Sequence, residues 1–320
     1  MVIWKIIGIF FICIVGFAAN KLGWLPNEAG KYLSRIVINI STPCVIIFSI
    51  ADQELNTSNL SAMLEITVIT IVGTAVSFFL GLLFCRVLKI GWPEKGIYVN
   101  FALFSNNGFL GLPISYTLLG TNGLYIMSIA NCVTTVIMFS LGIEMTRGKQ
   151  GAIEGQGKKS VLKQLSVFFN PPLVASIIGI LLFLIQAPVP SVIMDVLNSL
   201  GATMTPLAMM IIGIQLSGSS PKALIANRKL IAASLNRLII IPVIVLAMML
   251  PSYFGLIPIG IGTNVIIISL INFMTPIAVS LVPLCEEYGN DTKLAAEGVI
   301  LSTAFSMATL PVWCVLLSAL

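Results

Sequence analysis

Apolar residues run along the chain in stretches of about twenty, parted by short polar turns. A helix of that length crosses the hydrocarbon core of a bilayer at about 1.5 Å per residue. The pattern predicts ten spans. They cover roughly 2–19, 33–50, 60–85, 96–119 and 124–143, then a sixth after Pro172 that ends near Gln186. The rest cover roughly 192–215, 230–250 and 259–284, and the tenth closes at Leu320. One long polar stretch, residues 145–164, is rich in Gly and Lys and is expected to be a flexible linker. Residues 1–144 and 165–320 are then two five-helix units.

Two spans break this pattern at their centres. Residues 101–113 read FALFSNNGFLGLP, with Ser105, Asn106, Asn107, Gly108, Gly111 and Pro113 crowded together. Residues 271–283 read INFMTPIAVSLVP, with Thr275, Pro276 and Pro283. A shift of 170 residues lays Pro113 on Pro283, Asn106 on Pro276 and Ser105 on Thr275. Lipid offers no partner to a free backbone N–H or C=O, so an unwound helix must be covered by protein or line a water-filled cavity. Paired, interrupted spans in matching positions of two halves point to a transporter's binding site. A pair of Pro-kinked structural helices is the plainer alternative.

Charge sharpens the layout. Of seventeen Lys and Arg residues, Lys5 alone falls on one side of the ten-span arrangement, and the other sixteen share the opposite side with 145–164. By the positive-inside rule that side is cytoplasmic, so both termini are expected outside. Five spans per half is an odd number, so the second half is inverted relative to the first. The expected class is an all-α, multi-pass protein of the plasma membrane. Composition agrees: 58% of residues are hydrophobic, 9% are charged and the mean hydropathy is +1.05. An ordinary soluble domain carries about a quarter charged residues. No small-x-small cleavage pattern follows the first span, so no removed signal peptide is expected.

The chain has no histidine, the commonest metal ligand and general base, and no G-x-G-D pair of catalytic acids. These absences argue against an intramembrane enzyme. The six cysteines lie in or beside apolar runs without a C-x-x-C pair and read as buried apolar residues. No cofactor, metal or nucleic acid is expected. An unwound span leaves half-helix N-termini with free N–H groups and about half a positive charge each, which suits a carboxylate. Asn106, Asn107 and Thr275 would add neutral hydrogen bonds. Pro276 has no N–H and would hold the break open, while Gly108 and Gly111 permit close backbone approach. Pro43 and Pro206, in the related motifs S-T-P and M-T-P, are further candidate break or gating positions.

Asn131, in the middle of the fifth span, is either glue between helices or a ligand contact. Glu65, in the first turns of the third span, is either a solvated surface acid or a functional intramembrane one. Arg237, near the cytoplasmic end of the eighth span, is expected to snorkel. No acid lies near the centre of either broken span, which argues for an anionic or neutral substrate. The alternatives are a cation-coupled or cation/proton exchanger of related inverted-repeat fold, and a receptor or structural membrane protein.

Several motifs resemble the auxin efflux carrier family, which includes plant PIN-type carriers and bacterial malate and malonate carriers. They are N-K-L-G-W-L-P at 20–26, I-S-T-P at 40–43, S-N-N-G-F-L-G-L-P-I at 105–114, T-P-L-A-M-M-I-I-G at 205–213 and C-E-E-Y-G at 285–289. The resemblance implies a ten-span inverted-repeat fold with crossing spans 4 and 9. It implies secondary transport of small organic anions, with the crossover at Ser105, Asn106, Thr275 and Pro276. It also implies that Asn131 helps hold the substrate and that Glu65 falls near an acid linked to proton coupling. The implied partners are an organic anion, the bilayer and a coupling proton or sodium ion, with a homodimer open as the assembly. The Pro-Asn pair of plant members at the first crossover is replaced here by Ser105-Asn106, and their long central loop is absent, so an indole acid is not implied.

Overall fold

A computed structural model of the chain describes residues 2–147, 170–218, 227–255 and 260–317. The linker expected at 145–164 is therefore described only as far as Arg147, and the start of the ninth span and the last three residues also lie outside. The described chain is helical: α1 (Val2–Lys21), α2 (Ala29–Ala51), α3 (Thr57–Val87), α4 (Glu94–Leu103), α5 (Asn107–Arg147), α6 (Pro171–Ile185), α7 (Ser191–Ser217), α8 (Arg228–Ser252), α9 (Thr263–Met274), α10 (Leu281–Glu287) and α11 (Thr292–Leu317). Six of these, α2, α3, α5, α7, α8 and α11, are each long and apolar enough to cross a membrane.

Local chemistry sets the helix ends. The Asn56 side chain accepts from Asn59 N–H at 2.8 Å and starts α3, Asn227 accepts from Lys229 and Leu230 N–H to start α8, and Asp291 Oδ1 accepts from Leu294 N–H to start α11. Within α5, Gly120 takes φ 62° and ψ −143°, which a side chain would resist. There the chain doubles back, as the carbonyl of Ser115 shows by lying where a Cβ on Gly123 would stand. Eight residues of straight helix would separate these groups by about 12 Å.

Three wide, π-type turns, Val37–Ser41, Asn107–Gly111 and Asn236–Ile240, end two residues before Pro43, Pro113 and Pro242. A proline ring collides with the carbonyl four residues back, and in each case that carbonyl belongs to the wide turn, which moves it aside. Pro242 cannot donate to the Leu238 carbonyl, and Trp313 Nε1 takes that carbonyl at 2.8 Å. Pro43 thus bulges a continuous helix and does not break it. Pro206 likewise follows only a local turn at Thr203, whose hydroxyl lies 2.7 Å from that of Ser41.

Large apolar side chains stay exposed along whole helix faces: Phe11, Ile14 and Val15 on α1, Val68, Ile71 and Phe79 on α3, Leu181, Leu184 and Ile185 on α6. Such faces suit lipid. Inside, helices approach through glycines. Gly16 and Gly213 bring the α1 and α7 backbones together, and Gly179 of α6 rests on Ile50 of α2.

Candidate functional site

The two interrupted segments meet. α4 stops because Phe104 is extended (φ −111°, ψ 121°), and α9 stops because Thr275 is extended (φ −71°, ψ 152°). The second stop is dictated locally, since a residue before proline is pushed out of the helical region. The first is set by Asn106, whose Oδ1 accepts from Phe109 N–H at 3.2 Å and starts α5. Between the helices, Ser105 and Ile277 face each other as an antiparallel bridge. Asn106 N–H donates to the Pro276 carbonyl at 2.8 Å, and Ala278 N–H donates to the Phe104 carbonyl at 3.0 Å. The reciprocal bond from residue 276 is impossible for proline, and the Asn106 carbonyl instead accepts from Leu110 and Gly111 N–H.

One side of this crossover borders a cavity of about 480 Å³. Ser105, Asn106, Asn107 and Gly108 line it from the crossover, Asn131, Thr135 and Met138 from α5, and Val279, Ser280 and Pro283 from the second broken segment. The exposed Lys31 and Arg35 of α2 stand at its rim, and Asn170, just before α6, lines it too. No acidic residue is among the described residues of the lining. Asn106 is 3% exposed, and its Nδ2 has no partner among the described residues. Burying an amide donor without a partner costs about 1–3 kcal/mol, which a bound acceptor would recover. Asn131 is half-buried, and its side-chain amide makes no hydrogen bond among the described residues. A Cβ on Gly108 would meet open space, so a ligand can reach this backbone.

Other expected site residues lie elsewhere. Thr275 and Pro276 are not in the lining. Thr275 is fully buried, with its hydroxyl unpartnered among the described residues. Gly111 packs under Met127 and Asn107, and Pro113 is buried in α5. Asn107 is shared: it borders the cavity, yet its Nδ2 donates to Asn272 Oδ1 at 2.6 Å. Glu65 lies at the opposite end of the molecule, in a separate recess of about 270 Å³, where its Oε2 accepts from Gly262 N–H at 2.9 Å. It thereby caps the N-terminus of α9.

The expectation that Arg237 snorkels fails. Its side chain is fully buried behind the crossover. Nε donates to the Thr275 carbonyl at 3.1 Å, one terminal nitrogen donates to Ala102 at 2.8 Å, and the other donates to Asn272 at 3.2 Å. The sequence signal available was an arginine beside Asn236 within a span, on the N-terminal side of Pro242. Its count among the loop cations therefore drops out of the charge asymmetry.

The chain matches the family model described as Membrane transport protein over residues 1–314. It is 28% identical over 317 residues to an uncharacterized transporter of Methanocaldococcus jannaschii, covering 95% of each chain. It is 26% identical over 312 residues to an uncharacterized transporter of Methanothermobacter thermautotrophicus, covering 98% of this chain and 97% of that one. A shorter match, 27% over 117 residues, covers 36% of this chain and 26% of an uncharacterized transporter of Saccharomyces cerevisiae. With near-complete coverage, lipid-facing helices and an interrupted pair of helices at its centre, the chain belongs to the membrane transport protein family of the auxin efflux carriers and is a multi-pass membrane transporter.

Proposed function

We propose that the chain is a secondary active carrier of small organic anions, carboxylates above all, working by alternating access. The observation that carries this reading is the cavity at the crossover. It offers the unpartnered Asn106 amide, the Asn131 amide, the N-terminal turn of α5 and two rim cations, with no acid among its described lining. The substrate carboxylate sits against Asn106 and Gly108, with Asn131 and Ser105 completing its surroundings. Thr275 and Pro276 act from behind by shaping the break.

The architecture behind this reading is ten spans in two inverted five-helix repeats, 1–144 and 165–320. Counted so, α4 with residues 107–119 is span 4, residues 121–147 are span 5, and α9 with α10 is span 9. Packing supports the repeat. α1 lies along the second part of α7, and α6 lies along the second part of α2, which is what exchanging spans 1 with 6 and 2 with 7 requires. The crossover supports it as well, because Asn106 pairs with Pro276, its counterpart under the 170-residue shift. The loops also gather at two ends. Glu65 with Gly262, Asn122 with Asn264 and Gln186 with Gln53 meet at one, and Asn290 with Thr146 and Arg147 with Tyr288 at the other. The second end carries Arg147 and is read as cytoplasmic, and the cavity, with Lys31 and Arg35 at its rim, is read as facing inward. Single cysteines at Gly155 and Leu320 check this. In right-side-out cells an impermeant thiol reagent should label position 320 and spare 155, and the reverse pattern overturns the orientation.

Glu65 is the proposed proton-linked group. It grips the N-terminus of α9, whose other end is the crossover, so removing its charge loosens the helix that carries the break. Proteoliposomes tested with a panel of carboxylates, with and without a pH gradient, check carrier and coupling together. Saturable uptake and counterflow are expected for the parent. Glu65→Gln keeps an acceptor for Gly262 and loses the charge, so it should flatten the pH dependence while leaving counterflow intact. No saturable flux of any carboxylate overturns the carrier reading, and an unchanged pH profile in Glu65→Gln overturns the coupling role alone.

A further inference from the structure

Arg237 is a whole positive charge, fully buried, and no carboxylate pairs with it among the described residues. A buried cation without compensation is costly. Here the compensation is backbone. Ala102 lies at the C-terminal end of α4, and Asn272 and Thr275 lie at the C-terminal end of α9. A helix C-terminus carries about half a negative charge, so two such ends together balance about one guanidinium. Charge-assisted bonds to three carbonyls then satisfy backbone groups that the breaks leave orphaned in the middle of the membrane.

In carriers built on interrupted helices, unwound carbonyls and half-helix C-termini are the groups that coordinate a transported cation. In this chain those groups are already occupied by a side chain. We propose that Arg237 is a built-in counter-cation. It holds the carbonyl cluster of the crossover permanently, so no sodium ion binds there, and it cancels the negative helix ends behind the break. The N-terminal turn of α5 on the cavity side is then unopposed, and the crossover presents a fixed positive field to an anion. Coupling then runs on protons, through a group elsewhere, and not on sodium. The planar fork suits three carbonyls from two segments better than a point charge would.

The functional side of this inference rests on the crossover being the transport centre, but the cation-binding side does not, and the test uses the latter. Thermal unfolding of the purified protein is followed while sodium, potassium or lithium replaces choline at constant ionic strength. The parent should show no sodium-specific stabilisation. Arg237→Ala should lose roughly 5–10 °C in Tm. Guanidinium at low millimolar, non-denaturing concentration should restore much of that loss by refilling the vacated cluster, while methylammonium, lacking the fork, restores less. Arg237→Lys should keep the parent's indifference to sodium. Saturable sodium-specific stabilisation of the parent overturns the proposal even if Arg237→Ala cannot be purified, and so does a folded Arg237→Ala that ignores guanidinium. Guanidinium rescue together with unimpaired anion binding by Asn106→Asp would keep the counter-cation and move the anion site.

Discussion

Asn106→Asp should abolish anion binding while leaving the protein folded in the membrane. The substitution is nearly isosteric, and Asp accepts the Phe109 N–H that starts α5 as well as Asn does. The backbone bond from residue 106 to Pro276 is untouched, since it uses only the main chain. What changes is charge. Asn106 lines the cavity, and a carboxylate there stands against a bound carboxylate. At a separation of about 5 Å and an effective dielectric near 20, two like charges repel by about 3 kcal/mol. That is more than about a hundredfold in affinity. Asn106→Ala is milder at the ligand: losing one neutral hydrogen bond costs about 0.5–1.5 kcal/mol, or roughly two- to tenfold. Alanine also removes the helix cap, so it should lower Tm as well. The order of affinities, parent above Ala above Asp, is the signature. Binding of an anionic substrate by purified Asn106→Asp at the parent's affinity would mean that the site lies elsewhere or that the substrate is not an anion.

The second large effect concerns the fold alone. At the α1–α7 contact a Cβ on Gly213 would overlie the Cys13 carbonyl and come within 2.6 Å of Phe17 N. Gly16 meets the Met210 backbone in the same way. Both obstacles are main chain, so no rotamer change relieves them. Gly213→Leu must push the helices apart along their shared length, and close glycine contact is what substitutes for a hydrophobic driving force between helices in lipid. Overpacking of a well-packed core costs about 1–3 kcal/mol, and a backbone-on-backbone clash lies at or above the top of that range. Gly213→Leu is therefore expected to lower Tm by roughly 5–10 °C or to prevent isolation of a monodisperse protein. Gly8→Leu is the control. Gly8 is exposed on α1 with nothing near its missing Cβ, so the longer side chain meets lipid and improves helix propensity. A parental Tm for Gly213→Leu would refute the close packing of α1 on α7.

The sequence by itself determined what depends on neighbours along the chain. Apolar stretches of about twenty residues mark membrane helices because the bilayer's thickness and the helical rise are fixed. The stop of α9 was legible because Pro276 forbids a helical Thr275, and the start of α5 because an Asn caps the turn on its C-terminal side. Which side of the crossover each residue serves was not legible. Ser105 and Asn106 border the cavity while Thr275, their neighbour across the break, is sealed behind it, because the antiparallel pairing of 104–106 with 276–278 sets the rotation of both segments. Pro43 and Pro113 lie in similar local settings, yet only Pro113 stands beside a true break. Each is met by a wide turn, and tertiary contacts decide whether the chain before it stays helical. Arg237 is the clearest case. Its place in the span allows a long cation either to reach outward for water or to turn inward. The choice was made by carbonyls 35, 38 and 135 residues away, which converge only once two broken helices have crossed. Depth in a membrane can be counted along one helix, but the partner that makes a buried charge affordable belongs to others.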